Sequence, residues 1–258
     1  GEGGAGAAAG GGGVGELFSA EVEGLISFGD GFSVPLSYAY DPAWVLPFTL
    51  HALRSGAMES RDCVAWGFLS LALAATSSAD AGMRTVAYAV LAATAEACAI
   101  GVSFREVSQV TSLITAVRNA VPLSEPLRRM PTATAVLAAE AAAAALHPAG
   151  EMYVPLQRVV LRRAALDTDA LPVGFLSMLN GGGRGGRSGG DGGGVMSSRW
   201  EARALRVWVL RLLLASLRGG PEDARLFRKA FTVEVLMSHR SAALSADPYA
   251  RQLALAVV

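Results

Sequence analysis

The chain has 258 residues, enough to bury one substantial core or to form a repeat array with a continuous core. Hydrophobic residues make up 52% of it and charged residues 17%, and much of the apolar fraction is alanine, which favours helix. Apolar residues rarely alternate with period two, which argues against an all-β fold. The net charge is zero, but residues 1–150 carry −6 and residues 151–258 carry +6. We interpret this as ordinary surface charge, with contact between the basic half and RNA phosphates as the alternative.

The two cysteines, Cys63 and Cys98, indicate a reducing compartment, because they offer neither a disulfide framework nor metal-ligand spacing. The longest uncharged run, residues 63–79, is slightly shorter than the roughly 18 residues expected of a spanning helix. We therefore expect a buried helix there, with a membrane span as the lesser alternative. Since the chain does not begin with Met, we expect it to be part of a longer protein.

The first predicted helix follows a glycine-rich start. Residues 1–31 are predicted to be disordered, because Gly and Ala bury too little apolar surface to offset the entropy of ordering. Asp41 and Pro42 predict a helix start, with an N-cap acceptor followed by proline at the first position. Pro47 predicts a bend or a late start. The residues expected on the apolar stripe of this helix are Trp44, Val45, Phe48, His51 and Ala52.

Four more helices are predicted before residue 150. The first is apolar nearly all round and should be buried. Asp80 is the expected N-cap of the second, and Ser103 with Glu106 forms an expected capping box for the third. Three prolines then mark a loop before an alanine-rich helix, whose small side chains would let neighbours approach closely. The predicted ranges are 60–76, 81–99, 103–119 and 132–146.

The second half predicts further helices around a glycine-rich insertion. Ten glycines in residues 181–194 predict a flexible insertion, which we bound at 181–195. With no convincing strand, the helices and short joints predict an all-α fold. We expect an irregular armadillo/HEAT-like α-solenoid over residues 32–258, with a closed helical bundle as the alternative. The predicted helices are 152–166, 171–180, 198–218, 221–239 and 248–257.

No catalytic constellation is recognisable in the sequence. The three histidines are far apart and none lies in HExxH, and the single lysine, Lys229, follows no glycine-rich loop, which excludes a P-loop. A G-x-S-x-G match at Ser188 lies within the glycine tract, with no strand before it, and is treated as chance. The acidic neighbours Glu222 and Asp223 are interpreted as residues of a helix N-terminal turn. We therefore predict a protein that is not an enzyme and uses no cofactor, metal or small-molecule substrate.

Two groups of arginines are candidates for contact with RNA or a protein partner. Arg199, Arg203 and Arg206 recur at i, i+4 and i+7 on one predicted helix, and Arg158 and Arg162 cluster on an earlier one. For the first group we favour a solvated helix face, with a contact strip as the other interpretation. The glycine tract is similar to an RNA-binding RGG segment, but its two arginines are few for that role.

A series of short landmarks, in a fixed order, covers about residues 36–245. Tyr40-Asp41-Pro42 followed by Leu46-Pro47 is the most distinctive. The others are Ser78, Asp80, Met83-Arg84, Ala87-Tyr88, Arg118-Asn119, Ala139-Glu140, Pro148, Met152-Tyr153, Leu171-Pro172, Phe175, Arg206, Trp208, Leu210, Leu213-Leu214, Phe231, Glu234 and Leu236-Met237-Ser238. Together they resemble the C-terminal domain of the nucleolar pre-ribosomal-associated protein 1 family. The glycine-rich start and the glycine tract depart from the family pattern.

The resemblance implies a nucleolar, and hence nuclear, non-catalytic scaffold of helical repeats. It would act in assembly of the large ribosomal subunit and support maturation of large-subunit and 5.8S rRNA. The implied partners are pre-60S assembly factors, including a DEAD-box helicase, with pre-rRNA as a further candidate and no membrane. A generic helical-repeat adaptor for protein interactions, outside ribosome biogenesis, is the main alternative. The family offers no catalytic residue to carry over.

Overall fold

A computed structural model describes most of the helical part of the chain. The described residues are 26–28, 32–34, 41–150, 152–156, 164–168, 199–217, 221–229, 234, 236 and 247–257. The predicted helix at 171–180 and the glycine-rich insertion at 181–195 lie outside them. Contacts between Cα atoms divide the chain into two compact units, Gly1–Tyr40 and Asp41–Val258.

The first unit contains a short antiparallel hairpin that the sequence analysis did not expect. Strand β1 (Ile26–Phe28) pairs with β2 (Phe32–Val34), with Ser27 opposite Ser33. β1 lies within residues 1–31, whose disorder as a segment stays a prediction. Ile, Phe and Val favour strands, and three residues including two glycines separate the pair in sequence, a length that permits a hairpin. Each strand is too short for its alternation to be recognised.

The second unit is built from helices, which confirms the predicted all-α class. Its described helices are α1 (Pro42–Arg54), α2 (Ser60–Ala65), α3 (Phe68–Ala75), α4 (Ala81–Ile100), α5 (Val107–Ala120), α6 (Thr132–Ala145), α7 (Tyr153–Leu156), α8 (Arg199–Ser216), α9 (Pro221–Lys229) and α10 (Pro248–Val257).

Local capping signals correctly located two helix starts. The Asp41 carboxylate accepts a hydrogen bond from the Ala43 N–H at 2.9 Å, and α1 begins at Pro42 as predicted. Pro47 lies inside α1, so the late start that we considered is wrong. Asp80 accepts from the N–H groups of Gly82 and Met83, at 3.0 and 3.2 Å, and starts α4.

Three predicted boundaries need correction. The helix expected at 60–76 is two helices, because Gly67 adopts a left-handed conformation (φ 78°) between α2 and α3. The capping box is wrong, since α5 begins after Glu106, which makes no side-chain cap. The helix that starts at Tyr153 does not reach Leu166 as predicted, because the Leu166 N–H donates to the Ala116 carbonyl on α5, at 3.1 Å.

The alanine-rich helix α6 lies at the centre of the second unit. It packs against α3, α5, α7 and α8, the close approach that its small side chains predicted. Ala135, Leu137, Ala138 and Ala142 on it are buried. The pairing of α3 with α6 joins helices that other helices separate in sequence, which both a repeat stack and a closed bundle allow. The solenoid itself, and the limits 1–31 and 32–258 of its domain, stay predictions.

Helix α1 buries a different face from the one expected. Its buried residues are Val45, Leu46, Thr49, Ala52 and Leu53. Two aromatic residues of the predicted stripe instead face solvent, with 60% of Trp44 and 47% of Phe48 exposed. Both faces of α1 are apolar in sequence, so periodicity alone could not decide which one packs against α3 and α4.

Candidate interaction surface

Arg203, the middle arginine of the predicted strip on α8, forms an ion pair within the fold. Its Nε lies 2.5 Å from Asp247 Oδ2, and its Nη2 lies 3.2 Å from Oδ1. The same carboxylate accepts from the N–H groups of Tyr249 and Ala250, at 3.2 and 3.3 Å, and so caps α10. The hydrogen bond from Arg203 holds the pKa of Asp247 below its usual range. Arg203 thus joins α8 to the start of α10.

Arg206 does not lie on a solvated face, because only 8% of it is exposed. It shares the core-facing side of α8 with Leu210 and Leu213, four and seven residues further on, and both leucines are fully buried. The interpretation of this stripe as a solvated face is therefore wrong at Arg206, and its contact with RNA or a partner stays a prediction. The side chain of Arg199 and the residues Arg158 and Arg162 lie outside the described part, where contact with RNA or a partner stays a prediction.

Arg211 of α8 contacts α10, the helix whose capping residue bonds to Arg203. Arg211 donates to the Tyr249 hydroxyl from Nε at 3.1 Å and from Nη2 at 2.6 Å. Its guanidinium carbon lies 5.5 Å from the centroid of that ring, within the range of a cation–π contact. Arg203 and Arg211 hold α10 against α8 by bonding to residues that lie 44 and 38 positions further along the chain. No local sequence pattern reveals partners at such separations.

The proline-rich loop before α6 is fastened to α4 and to the joint before it. Arg84 Nε donates to the Leu127 carbonyl at 3.1 Å, and Arg84 Nη1 donates to the carbonyls of Ser78 and Ala79, both at 2.9 Å. The Tyr88 hydroxyl donates to the Arg128 carbonyl at 2.8 Å. Burial raises the pKa of Tyr88 to about 12, against a smaller lowering by Arg84. Two of the family landmarks, Arg84 and Tyr88, therefore stabilise the position of this loop.

A buried carboxylate on α9 caps the N-terminus of the central helix α6. Asp223 is only 1% exposed, and its two oxygens accept from the Thr132 N–H at 2.6 Å and the Thr132 hydroxyl at 2.8 Å. Thr132 is the first residue of α6, whose N-terminal N–H groups otherwise lack partners within the helix. Asp223 lies in the first turn of α9, as predicted, but its bond to α6 spans 91 positions.

Two further landmarks meet between α6 and α8. The Trp208 indole on α8 donates a hydrogen bond to the Glu140 carboxylate on α6. Burial raises the pKa of Glu140 to about 7, and the bond from Trp208 only partly offsets this. A carboxyl with this pKa carries a proton part of the time at neutral pH. The contact therefore couples the packing of the two helices to protonation.

A family model described as Nucleolar pre-ribosomal-associated protein 1 matches residues 69–258. The chain belongs to the nucleolar pre-ribosomal-associated protein 1 family. The mouse protein of that name is 32% identical over 186 residues, which is 72% of this chain and 7% of the relative. The human protein is 29% identical over 192 residues, or 74% and 8%. No solved structure matches the chain.

Family membership confirms the resemblance seen in the sequence. The landmarks from Ser78 onward fall within the matched range, whereas Tyr40-Asp41-Pro42 and Leu46-Pro47 lie before it. The name of the nucleolar pre-ribosomal-associated protein 1 family agrees with the nucleolar location and the ribosomal role that the resemblance implied. The chain spans less than a tenth of the length of these curated relatives.

The described residues of this family member offer little for chemistry. Within them, no group of three or more His, Cys, Asp or Glu could hold a metal ion. Cys63 and Cys98 are free thiols, and burial raises the pKa of Cys63 to about 11, which keeps it protonated. A cavity of about 10 Å³ lies between Gln109, Leu113 and Tyr153, among other residues, and has room for about one water molecule. The absence of enzymatic activity stays a prediction.

One helix of the described part, α4, is long and apolar enough to cross a membrane, judged by length and composition alone. About 28% of its apolar stretch is buried within the fold. A core helix passes the same test, and Ala87 and Val90 of α4 are fully buried in this family member. The uncharged run of residues 63–79, for which a membrane span was the lesser alternative, does not form one continuous helix. It is interrupted at Gly67, between α2 and α3.

Proposed function

We propose that this domain is a non-catalytic scaffold in the nucleolus that acts in assembly of the large ribosomal subunit. Membership of the nucleolar pre-ribosomal-associated protein 1 family carries the proposal. In this role the domain would support maturation of large-subunit and 5.8S rRNA. Its partners would be pre-60S assembly factors, including a DEAD-box helicase, and pre-rRNA.

The way the chain uses its polar side chains supports a scaffold. Arg84, Arg203 and Asp223 each bond to a different helix or loop and hold the helices together. Polar groups that lock helices at fixed positions preserve the shape of a surface, which a scaffold requires. Catalysis would instead require such groups to converge on a shared pocket.

Location and partners of the full-length polypeptide test the proposal. A tagged version should concentrate in nucleoli and recover precursor rRNA together with large-subunit assembly factors. A matched variant, Asp223→Ala, should recover less of both, because the cap that joins α9 to α6 is lost. Diffuse cytoplasmic signal without precursor rRNA would reject the role. Recovery of vesicle coat or receptor proteins would instead favour the adaptor outside ribosome biogenesis.

Direct contact with RNA requires a separate test. Arg158, Arg162 and Arg199 are the candidates to substitute, because Arg203 pairs with Asp247 and Arg206 is buried, so changing either would also disturb the fold. Changing the three candidates to Glu should weaken crosslinking to precursor rRNA and reduce its dependence on salt. Arg251→Glu, an exposed arginine on α10, is the control. Unchanged crosslinking in the triple variant would leave the domain with protein contacts alone.

A further inference from the structure

The outward face of α1 is apolar, although α1 already buries its opposite face. Trp44, Pro47, Phe48 and His51 are exposed and recur at i, i+3, i+4 and i+7, which places them on one stripe. Large apolar surface remains there, since Trp44 is 60% and Phe48 47% exposed. A helix that is apolar on both faces is expected between two packed layers. Among the described elements, α2, α3 and α4 supply the main packing of α1.

The two aromatic rings on this face are already arranged against each other. The Trp44 and Phe48 ring centroids lie 5.4 Å apart, and the ring planes differ by 7°. Stacked rings lose little side-chain freedom when another surface covers them, so burying them carries a low entropic cost. Large aromatic residues of this kind are the usual anchors of protein interfaces.

The charge of the face indicates the chemistry of what covers it. From Trp44 to His51 the sequence contains no Lys, Arg, Asp or Glu. Arg54 and Asp41 lie at the two ends of α1, and the Asp41 carboxylate is bonded as its cap. Phosphates of nucleic acid or of anionic lipid bind where cations cluster, and the stripe offers none. An apolar surface with helical periodicity is complementary to it.

We propose that the outward face of α1 docks the apolar stripe of a helix from the same polypeptide, outside these 258 residues. The chain spans only 7 to 8% of the curated relatives, so most of a full-length member lies outside it. The inward face of α1 packs against α3 and α4. In the predicted repeat stack, each helical layer would be covered by the next, which leaves the outward face of α1 for a helix beyond these residues. This inference goes beyond the proposed scaffold role and does not depend on it.

Site-specific photocrosslinking of the full-length polypeptide tests the docking. With p-benzoyl-phenylalanine in place of Phe48, a crosslink should form to a helical segment of the same polypeptide outside the 258 residues. The same probe in place of Ser108, an exposed polar position of α5, is the control and should not reach that segment. Mixed isotope-labelled copies distinguish crosslinks within one polypeptide from those between copies. The proposal would be overturned by crosslinks within the 258 residues, to a second copy, to another protein or to RNA. It would also be overturned if no crosslink formed.

A measurement on the unsubstituted full-length polypeptide guards against disturbance by the probe. Hydroxyl radicals modify exposed aromatic and aliphatic side chains, so Trp44 and Phe48 should be strongly protected after correction for intrinsic reactivity. Leu123, which is fully exposed in the loop before α6, provides the unprotected reference. Labelling of Trp44 and Phe48 at the level that their exposure in this chain predicts would overturn the proposal, because no helix would then cover them.

Discussion

The Glu140 carboxyl between α6 and α8 predicts an unusual dependence of stability on pH. Its pKa in the folded protein is about 7, against an ordinary value of 4.5, because burial disfavours the charged form. Between these two values the folded state holds a proton that the unfolded state has released. The free energy of unfolding therefore falls as pH rises through this window. The contribution of Glu140 to stability is most favourable below pH 4.5 and least favourable above pH 7.

Glu140→Gln removes the titration and keeps the shape. The amide oxygen can still accept from the Trp208 indole, while no charge is buried. A pKa displacement from 4.5 to about 7 corresponds to about 3 kcal/mol at about 1.4 kcal/mol per unit. We therefore expect the variant to be more stable by up to about 3 kcal/mol at pH 8, and by less than about 1 kcal/mol at pH 5.

Urea unfolding followed by circular dichroism, at pH 5 and at pH 8, measures the difference directly. Glu96→Gln is the matched control, because Glu96 is exposed on α4 and its substitution should leave stability nearly unchanged at both pH values. An equal effect of Glu140→Gln at the two pH values would refute the reasoning. So would a loss of stability at pH 8, since it would mean that the charged carboxylate is fully compensated where it lies.

Three further outcomes follow from particular contacts. Asp223→Ala should lower the free energy of unfolding by about 1 to 3 kcal/mol, because two donors of Thr132 lose their acceptor; Glu125→Ala, in an exposed loop, should cost little in the same urea titration. Gly67→Ala should cost about 1 to 2 kcal/mol by thermal or urea unfolding, because φ at this position is 78°; a neutral result would contradict the left-handed joint. Cys63 should react with a thiol reagent at pH 8 only in urea, so rapid labelling of the native chain would disagree with its burial.

Local patterns in the sequence predicted the helices where a cap or a proline marked the boundary. Asp41 and Asp80 each bond to an N–H group two positions on, an interaction that nearby residues determine alone. Gly67 was missed, because glycine in an apolar run is compatible with both a continuous helix and a left-handed joint. The hairpin was missed because three-residue strands are too short to show a period.

The surroundings of the predicted contact residues could not be read from the sequence, for a physical reason. The spacing of Arg203 and Arg206 on α8 shows neighbouring helix positions, but not what lies opposite each side chain. The opposite partner of Arg203 is Asp247, 44 positions along the chain, and Arg206 faces the core beside Leu210. The contacts of Glu140 with Trp208 and of Asp223 with Thr132 were equally beyond reach, because each joins elements far apart in sequence.

The sequence by itself determined the all-α class, most helix starts and the family, because propensity, caps and short ordered landmarks act over a few residues. Only the tertiary structure decided which face of α1 is buried, which arginines are committed within the fold, and which carboxyl has its pKa raised. Those properties depend on the free energy of burial and on partners brought together across the chain, and neither is encoded in any single segment.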